Sequence, residues 1–200
     1  MIILTAISLA AALFIPPVDW EAAQPKGLFS VKVGFVGPSD QPFKPSISLV
    51  SEKVHCNLKE YVKSVRKIYL DRPGTEWRDL GVIEMRAGMG RLTEIRTADT
   101  VTLQAIYLGD EMAYILTAAV AKKDFPIVQK ELIKAFKSLY LTSDLWEELK
   151  EEAIREKIAS LIEEKEWKSL QQLIEKETSS MGKYWQFLAL QEAYEKIFSK

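Results

Sequence analysis

The chain has 200 residues, 48% hydrophobic and 28% charged, with a formal charge of −1. This is the composition of a folded globular protein, and it excludes a collagenous or low-complexity chain. The near-zero charge leaves no whole-molecule field to gather nucleic acid or anionic lipid, and a single cysteine, Cys56, excludes an intrachain disulfide.

Residues 1–15, MIILTAISLAAALFI, form an apolar run ended by Pro16-Pro17. The run is shorter than the roughly 20 residues a membrane-spanning helix needs, so no stable membrane span is expected. Its length suits the apolar part of a secretory signal, and Ala10-Ala11-Ala12 offers a small-x-small cleavage site, although no basic residue precedes it. The alternative is an N-terminal strand or helix packed on the core. The expected location is the cell envelope or periplasm, with the cytoplasm as the alternative. Residues 1–14 are accordingly set apart from the folded chain that begins at Ile15.

After the double proline, Asp19 or Trp20 could begin a single helical turn. Val31, Val33 and Phe35 alternate within residues 30–36 as a strand, and the Gly37-Pro38 to Pro42 cluster is a turn. Residues 46–54 alternate again. A helix comes next, with Asn57 as cap and Glu60 completing a capping box. Its apolar face holds Leu58, Tyr61, Val62, Val65, Ile68 and Tyr69. Lys59, Lys63, Arg66 and Lys67 lie away from that face. Such charges could touch phosphate, but on a helix they are usually a solvated surface.

Strand-like segments then come at residues 77–85 and 91–98, joined by a glycine turn at 87–90. The second carries polar residues on both faces and belongs nearer a sheet edge. Residues 101–121 read as a hairpin turning at Gly109-Asp110. Its second strand is apolar on both faces, with Met112, Tyr114 and Leu116 against Ala113 and Ile115, which puts it at the centre of a sheet. Short turns make these neighbours antiparallel. Asp124 is read as the N-cap of a second helix, with Pro126 in its first turn. Ile127, Val128, Leu132, Ile133 and Phe136 are its expected buried stripe, and residues 139–141 could add an extended segment.

From Ser143 onward the text changes. Residues 143–200 hold 9 basic and 13 acidic residues, against 18 and 15 in the rest, and no Gly or Pro occurs between Pro126 and Gly182. Leu145, Leu149, Ile154, Ile158, Leu161 and Ile162 mark one amphipathic helix. Trp167, Leu170, Leu173 and Ile174 continue it or start another after a bend near Lys165. Thr178-Ser179-Ser180 breaks the pattern, and a last helix spans about 182–198 with Tyr184, Trp185, Leu188, Tyr194, Ile197 and Phe198 as its apolar residues. The expectation is an α+β fold: an antiparallel β-sheet covered by helices over residues 15–142, followed by a helical hairpin over 143–200.

The segment IPPVDW at Ile15 to Trp20, the helix around Tyr61, and AYILTAA at Ala113 to Ala119 followed by Phe125 and a helix ending near Phe136 together resemble the PsbP-like superfamily. That superfamily includes the PsbP subunit of photosystem II, DcrB-type envelope proteins and the Ran guanine-nucleotide release factor. The resemblance spans roughly residues 15–141 and implies an α/β/α sandwich in a family mostly of binding and assembly factors. It implies nothing for the helical residues 143–200.

Chemistry is sparse. His55 and Cys56 are the only residues of their types, and adjacent residues in an extended segment point to opposite faces, so they are read as structural and no metal or nucleophile is assigned. Gly88-Met89-Gly90 has no following helix to hold phosphate. Asp71, Glu76, Asp79 and Glu84 read as solvated acids. No catalytic or cofactor site is expected. The remaining signal is aromatic: Trp146, Trp167, Tyr184 and Trp185 in the tail are the expected protein-interaction residues, the alternative being that they only pin the tail together.

The expected function is therefore a non-enzymatic protein-binding or assembly factor of the adaptor or chaperone kind. Its partner is an unidentified protein, and the tail adds to the binding surface or mediates homodimerisation. The alternative is a small-ligand-binding protein or enzyme with a pocket between sheet and helix. Nucleic acid is not expected as a partner; binding through Lys59, Lys63, Arg66 and Lys67 would have to be salt-dependent and lost on reversal to Glu.

Overall fold

The structure, a computed structural model, describes residues 11–23 and 31–198. It divides into two units: one runs from Phe14 to Tyr140, and the other joins the segment ending at Leu13 to the chain from Leu141 onward.

The first unit is built on an antiparallel sheet. Among the described residues its strands are β2 (Glu21–Ala23), β3 (Val31–Val36), β4 (Ser46–Lys53), β5 (Glu76–Met85), β6 (Gly88–Arg96), β7 (Thr100–Gly109) and β8 (Met112–Ala121). β1 (Ala11–Leu13) pairs separately with β9 (Tyr140–Thr142). The sheet order is β2-β3-β4-β8-β7-β6-β5, so the strand apolar on both faces occupies the middle. Ala113, Leu116, Ala118 and Val120 on it are fully buried. β6, with its mixed faces, lies next to the edge strand β5.

Among the described residues two helices pack on the sheet. α1 (Leu58–Leu70) packs on β5, β6 and β7. The Asn57 side chain accepts from the Glu60 amide at 3.0 Å, and Glu60 accepts from the Asn57 amide at 3.2 Å, which satisfies two of the otherwise unpaired amides at the helix start. Under it, Val62 meets Ile106, Ala113 and Ile115. Alternation sends Leu103, Ala105 and Leu116 to the other side of the sheet, where they are equally buried. α2 (Phe125–Lys137) packs against β5 and β8.

The structure corrects several sequence expectations. The hairpin turns at Asp110-Glu111, not Gly109-Asp110; both turn residues have left-handed φ, 52° and 59°. That is the mirror-image turn whose twist matches the flanking strands, and it leaves Gly109 in β7 opposite Met112. The preceding hairpin turns at Arg86-Ala87, and Gly88 to Gly90 begin β6. Gly90 is there for close approach: a Cβ on it would lie 2.5 Å from the carbonyl oxygen of Ile106. Asp124 occupies the N-cap position of α2 with helical backbone and no capping hydrogen bond. Ile127 stands 78% exposed, because the buried stripe runs through Phe125, Leu132, Ala135 and Phe136 instead. The residues after Pro17 form a turn, not a helical turn, and then the strand β2, which pairs with β3.

The second unit is helical. A 3-10 turn at Trp146–Glu148 precedes α3 (Glu152–Glu163), so Leu145 and Leu149 stand before that helix and not on it. α4 (Trp167–Glu177) begins after a break at Lys165, whose φ is 58°. Another 3-10 turn, Ser179–Met181, leads into α5 (Lys183–Phe198). All three helices touch one another. α5 buries Trp185, Ala189, Ala193 and Ile197, a stripe of four-residue spacing that places them on one face. The small alanines let the helices approach closely, whereas Tyr194 and Phe198, which the sequence pattern counts among the apolar residues of this helix, are each 52% exposed.

Candidate functional sites

Each unit presents a candidate surface among its described residues. In the sheet unit it is a groove of about 830 Å³ beside α1. Leu58, Lys59, Val62, Lys63 and Arg66 of α1 form one wall, and Trp77, Asp79 and Arg91 of β5 and β6 form the other. The helix periodicity explains the first wall, since residues 59, 63 and 66 recur at four and three. Register explains the second. Asp79 pairs with Thr93 and Trp77 with Ile95 across the β5–β6 ladder, so Trp77 and Asp79 share a face with Arg91.

Asp79 and Arg91 are locked together: the Arg91 Nε donates to both carboxylate oxygens at 2.8 and 3.0 Å, and its Nη2 donates at 2.6 Å. These bonds hold the Asp79 carboxyl below its ordinary range. The Arg66 guanidinium lies 5.5 Å from the centre of the Trp77 ring, within cation–π range. Lys59, Lys63 and Arg66 have no ion pair among the described residues.

The sheet beneath α1 is polar in places. Gln104 donates from Nε2 to the Tyr69 hydroxyl at 3.3 Å and to the Thr117 hydroxyl at 3.2 Å. Its Oε1, the Thr93 hydroxyl and the Trp77 indole nitrogen are buried without a hydrogen-bond partner. Tyr61 donates its hydroxyl to Glu52; burial first, and then that bond, push the phenol well above its usual value. His55 and Cys56 are exposed in the loop between β4 and α1. No group of three or more His, Cys, Asp or Glu that could hold a metal ion occurs among the described residues.

In the helical unit the tail aromatics separate into two sets. Trp185 and Tyr184 are buried, at 2% and 3% exposure. Trp146 meets Trp185 edge to face at 6.0 Å and donates its indole N–H to Glu192 Oε1 at 2.7 Å, and the Tyr184 hydroxyl donates to the Ala12 carbonyl at 2.7 Å. Trp167 is different. It meets Tyr194 at 5.4 Å and Phe198 at 6.2 Å, both edge to face, and those two rings lie 4.5 Å apart. The result is an aromatic cluster open to solvent on one side. The opposite end of α4 is held by Gln186, whose Nε2 donates to the carbonyls of Ile174 and Glu175 at 3.3 and 3.2 Å.

The sequence pattern points to Trp167 but not to the groove. It shows the basic stripe of α1; the opposite wall is hidden from it, because no local pattern brings Trp77 and Arg91 to Lys63.

No protein-family model matches this chain, and no curated protein matches it. Solved structures do. The structure of LpqN, involved in cell envelope biogenesis of Mycobacterium tuberculosis, is 12% identical; the match covers 66% of this chain and 84% of that one, with a TM-score of 0.52. The cyanobacterial PsbP (CyanoP) from Synechocystis is 10% identical over 68% of this chain and 95% of that one, at a TM-score of 0.44. A Bacteroides thetaiotaomicron protein is 12% identical over 94% and 74%, at 0.42. Similarity at this level of identity is one of fold. The chain shares its fold with LpqN.

Proposed function

We propose that this chain is a non-enzymatic protein-binding or assembly factor whose contact surface is the Trp167–Tyr194–Phe198 cluster. One observation carries the reading: three mutually packed rings leave Tyr194 and Phe198 each 52% in water. Large rigid aromatics cost little conformational entropy to immobilise and dominate protein interfaces. Contiguous apolar surface of this kind marks interaction sites. Trp146, Tyr184 and Trp185 act behind the surface by holding α5 in place.

A photo-reactive amino acid placed at position 194 of the full-length protein, in cells, tests this. The expected result is one crosslinked protein, lost in the Trp167→Ala variant and absent when the probe stands at Lys168. A crosslink to a second copy of the chain assigns the cluster to homodimerisation within the same reading. The reading fails if position 194 crosslinks nothing, or the same set of proteins as position 168.

We place the protein at the cell envelope. The apolar residues at its start and the fold shared with LpqN support that location. Among the described residues no helix is long and apolar enough to cross a membrane. Cleavage at Ala10 to Ala12 would cut into β1, so a processed product should begin before Ala11 or lack that strand. Fractionation with N-terminal sequencing decides: Met1 on a cytoplasmic product overturns the placement. A second reading, small-ligand binding between helix and sheet, is favoured by the groove beside α1 and its unpaired cations.

A further inference from the structure

We propose that the groove between α1 and β5–β6 binds an anionic amphiphile, its charged head among Lys59, Lys63 and Arg66 and its hydrocarbon over Leu58, Val82 and Met89. The proposal rests on the ligand-binding reading of the groove and is independent of the aromatic cluster.

Charge is the first argument. Lys59, Lys63 and Arg66 line the groove over about 10 Å of helix. Asp79 is the carboxylate that lines the same groove, and it is consumed by its two-pronged pairing with Arg91. Three like charges therefore line the groove with no ion pair among the described residues; the Glu60 carboxylate shares with Lys63 and Arg66 an adjoining depression and not the groove. Their mutual repulsion is relieved by an anion placed between them. An ordinary solvated lysine face has no opposite wall; this one has Trp77 and Arg91.

The second argument is the apolar surface that continues from the cationic wall. Val82 pairs directly with Arg91, and Met89 stands two residues before Arg91 on the same strand. Both therefore share the groove's face of the sheet. Val82 is 60% exposed and Met89 62%. Leu58 lines the groove and also the adjoining depression of about 370 Å³ that holds Met89, Leu108 and Met112, with Asp110 and Glu111 in its lining; Glu84 pairs with Met89 on the same face of the sheet. A bare phosphate would leave this strip in water. A nucleic acid would find one ring to stack on, Trp77, with Arg66 already over it. An amphiphile matches both halves, and the volume falls within the roughly 300–1,000 Å³ of small-molecule sites.

Isothermal titration of the full-length protein with three soluble probes tests the idea: monomeric dihexanoyl phosphatidic acid, inorganic phosphate and octyl glucoside, with phosphatidylglycerol vesicles in a parallel flotation assay. The short-chain phosphatidic acid is expected to bind about tenfold or more tighter than either inorganic phosphate or octyl glucoside. The Lys63→Glu/Arg66→Glu and Met89→Asp variants should each weaken it by about tenfold. Lys134→Glu on α2 should leave it unchanged. Lys63→Ala, which merely removes one charge, gives a milder second variant, and circular dichroism verifies that each is folded. Equal binding of inorganic phosphate, unaffected by Met89→Asp, would reduce the groove to a simple anion site and overturn the proposal. Vesicle binding without monomer binding would assign the cations to surface adsorption, which also overturns it. Octyl glucoside binding as tightly as the anion would overturn the proposal by removing the anionic requirement, while the ligand-binding reading stands. If no probe binds, both the proposal and the ligand-binding reading fall.

Discussion

In the sheet unit the fully buried side chains Leu49, Leu103, Ile106 and Leu116 come from three strands and are spread over both faces of the sheet. In the helical unit Leu170, Ile174 and Trp185 come from two neighbouring helices, and the rest of the stripe on α5 is alanine and Ile197. The sheet core draws aliphatic residues from several strands and the rings Phe35 and Phe136. In the helical core the largest fully buried side chain is Trp185, together with Leu170, Ile174 and the small Ala189 and Ala193. Sheet geometry explains the first, because every strand contributes alternate residues to each face. Helix geometry explains the second, since close approach needs small residues and the remaining volume must then be filled by something large. The difference also bears on function. The helical unit has aromatics beyond those its core needs, and these form the exposed cluster; the sheet unit instead has cations beyond those it pairs, and these form the groove.

The comparison is most easily broken at Trp185. Replacing it by alanine should cost about 3–5 kcal/mol, as for other buried aromatic truncations, with loss of hydrogen-exchange protection across α4 and α5. Unchanged protection there would show that the helical core does not depend on this ring. The smallest expected effect lies in the groove. The folded-state pKa of Asp79 is held below its ordinary 3.8 by the Arg91 hydrogen bonds. Its contribution is therefore fully present above the unfolded value and is lost as pH falls through the lower folded one. The pair is partly solvated, so Asp79→Asn should cost under about 1 kcal/mol near neutral pH, and the difference should vanish in acid. Urea midpoints for both proteins at about pH 7 and pH 2 check this. A gap that persists in acid would mean that Asp79 supports the sheet by packing and not by charge.

Much of the fold is legible in local pattern. The central position of β8 follows from apolar residues on both its faces and the start of α1 from Asn57 and Glu60, while the spacing near Lys165 leaves open a continued helix or the break that the structure shows. Pattern and structure part where a backbone conformation or a neighbour decides the outcome. Asp110-Glu111 adopts a left-handed turn without the glycine that usually announces one. β2 is three residues long and exists because β3 offers it an edge. Ile127 is apolar but lies on the first turn of α2, away from the buried stripe. Of the two candidate sites, Trp167 and the basic face of α1 can be named from the sequence, while their partners cannot.

Sequence alone, then, determined the periodicities of this protein: which of its longer segments form strands, which form helices, and that Lys59, Lys63 and Arg66 share one face of a helix. These are consequences of residues within a turn or two of each other. Tertiary structure alone decided that this face looks onto Trp77 and Arg91, that Trp185 is spent on the core, and that Trp167, Tyr194 and Phe198 meet at the surface. Such contacts depend on strand register and helix crossing, which are set by the packing of the whole unit and leave no local trace in the chain.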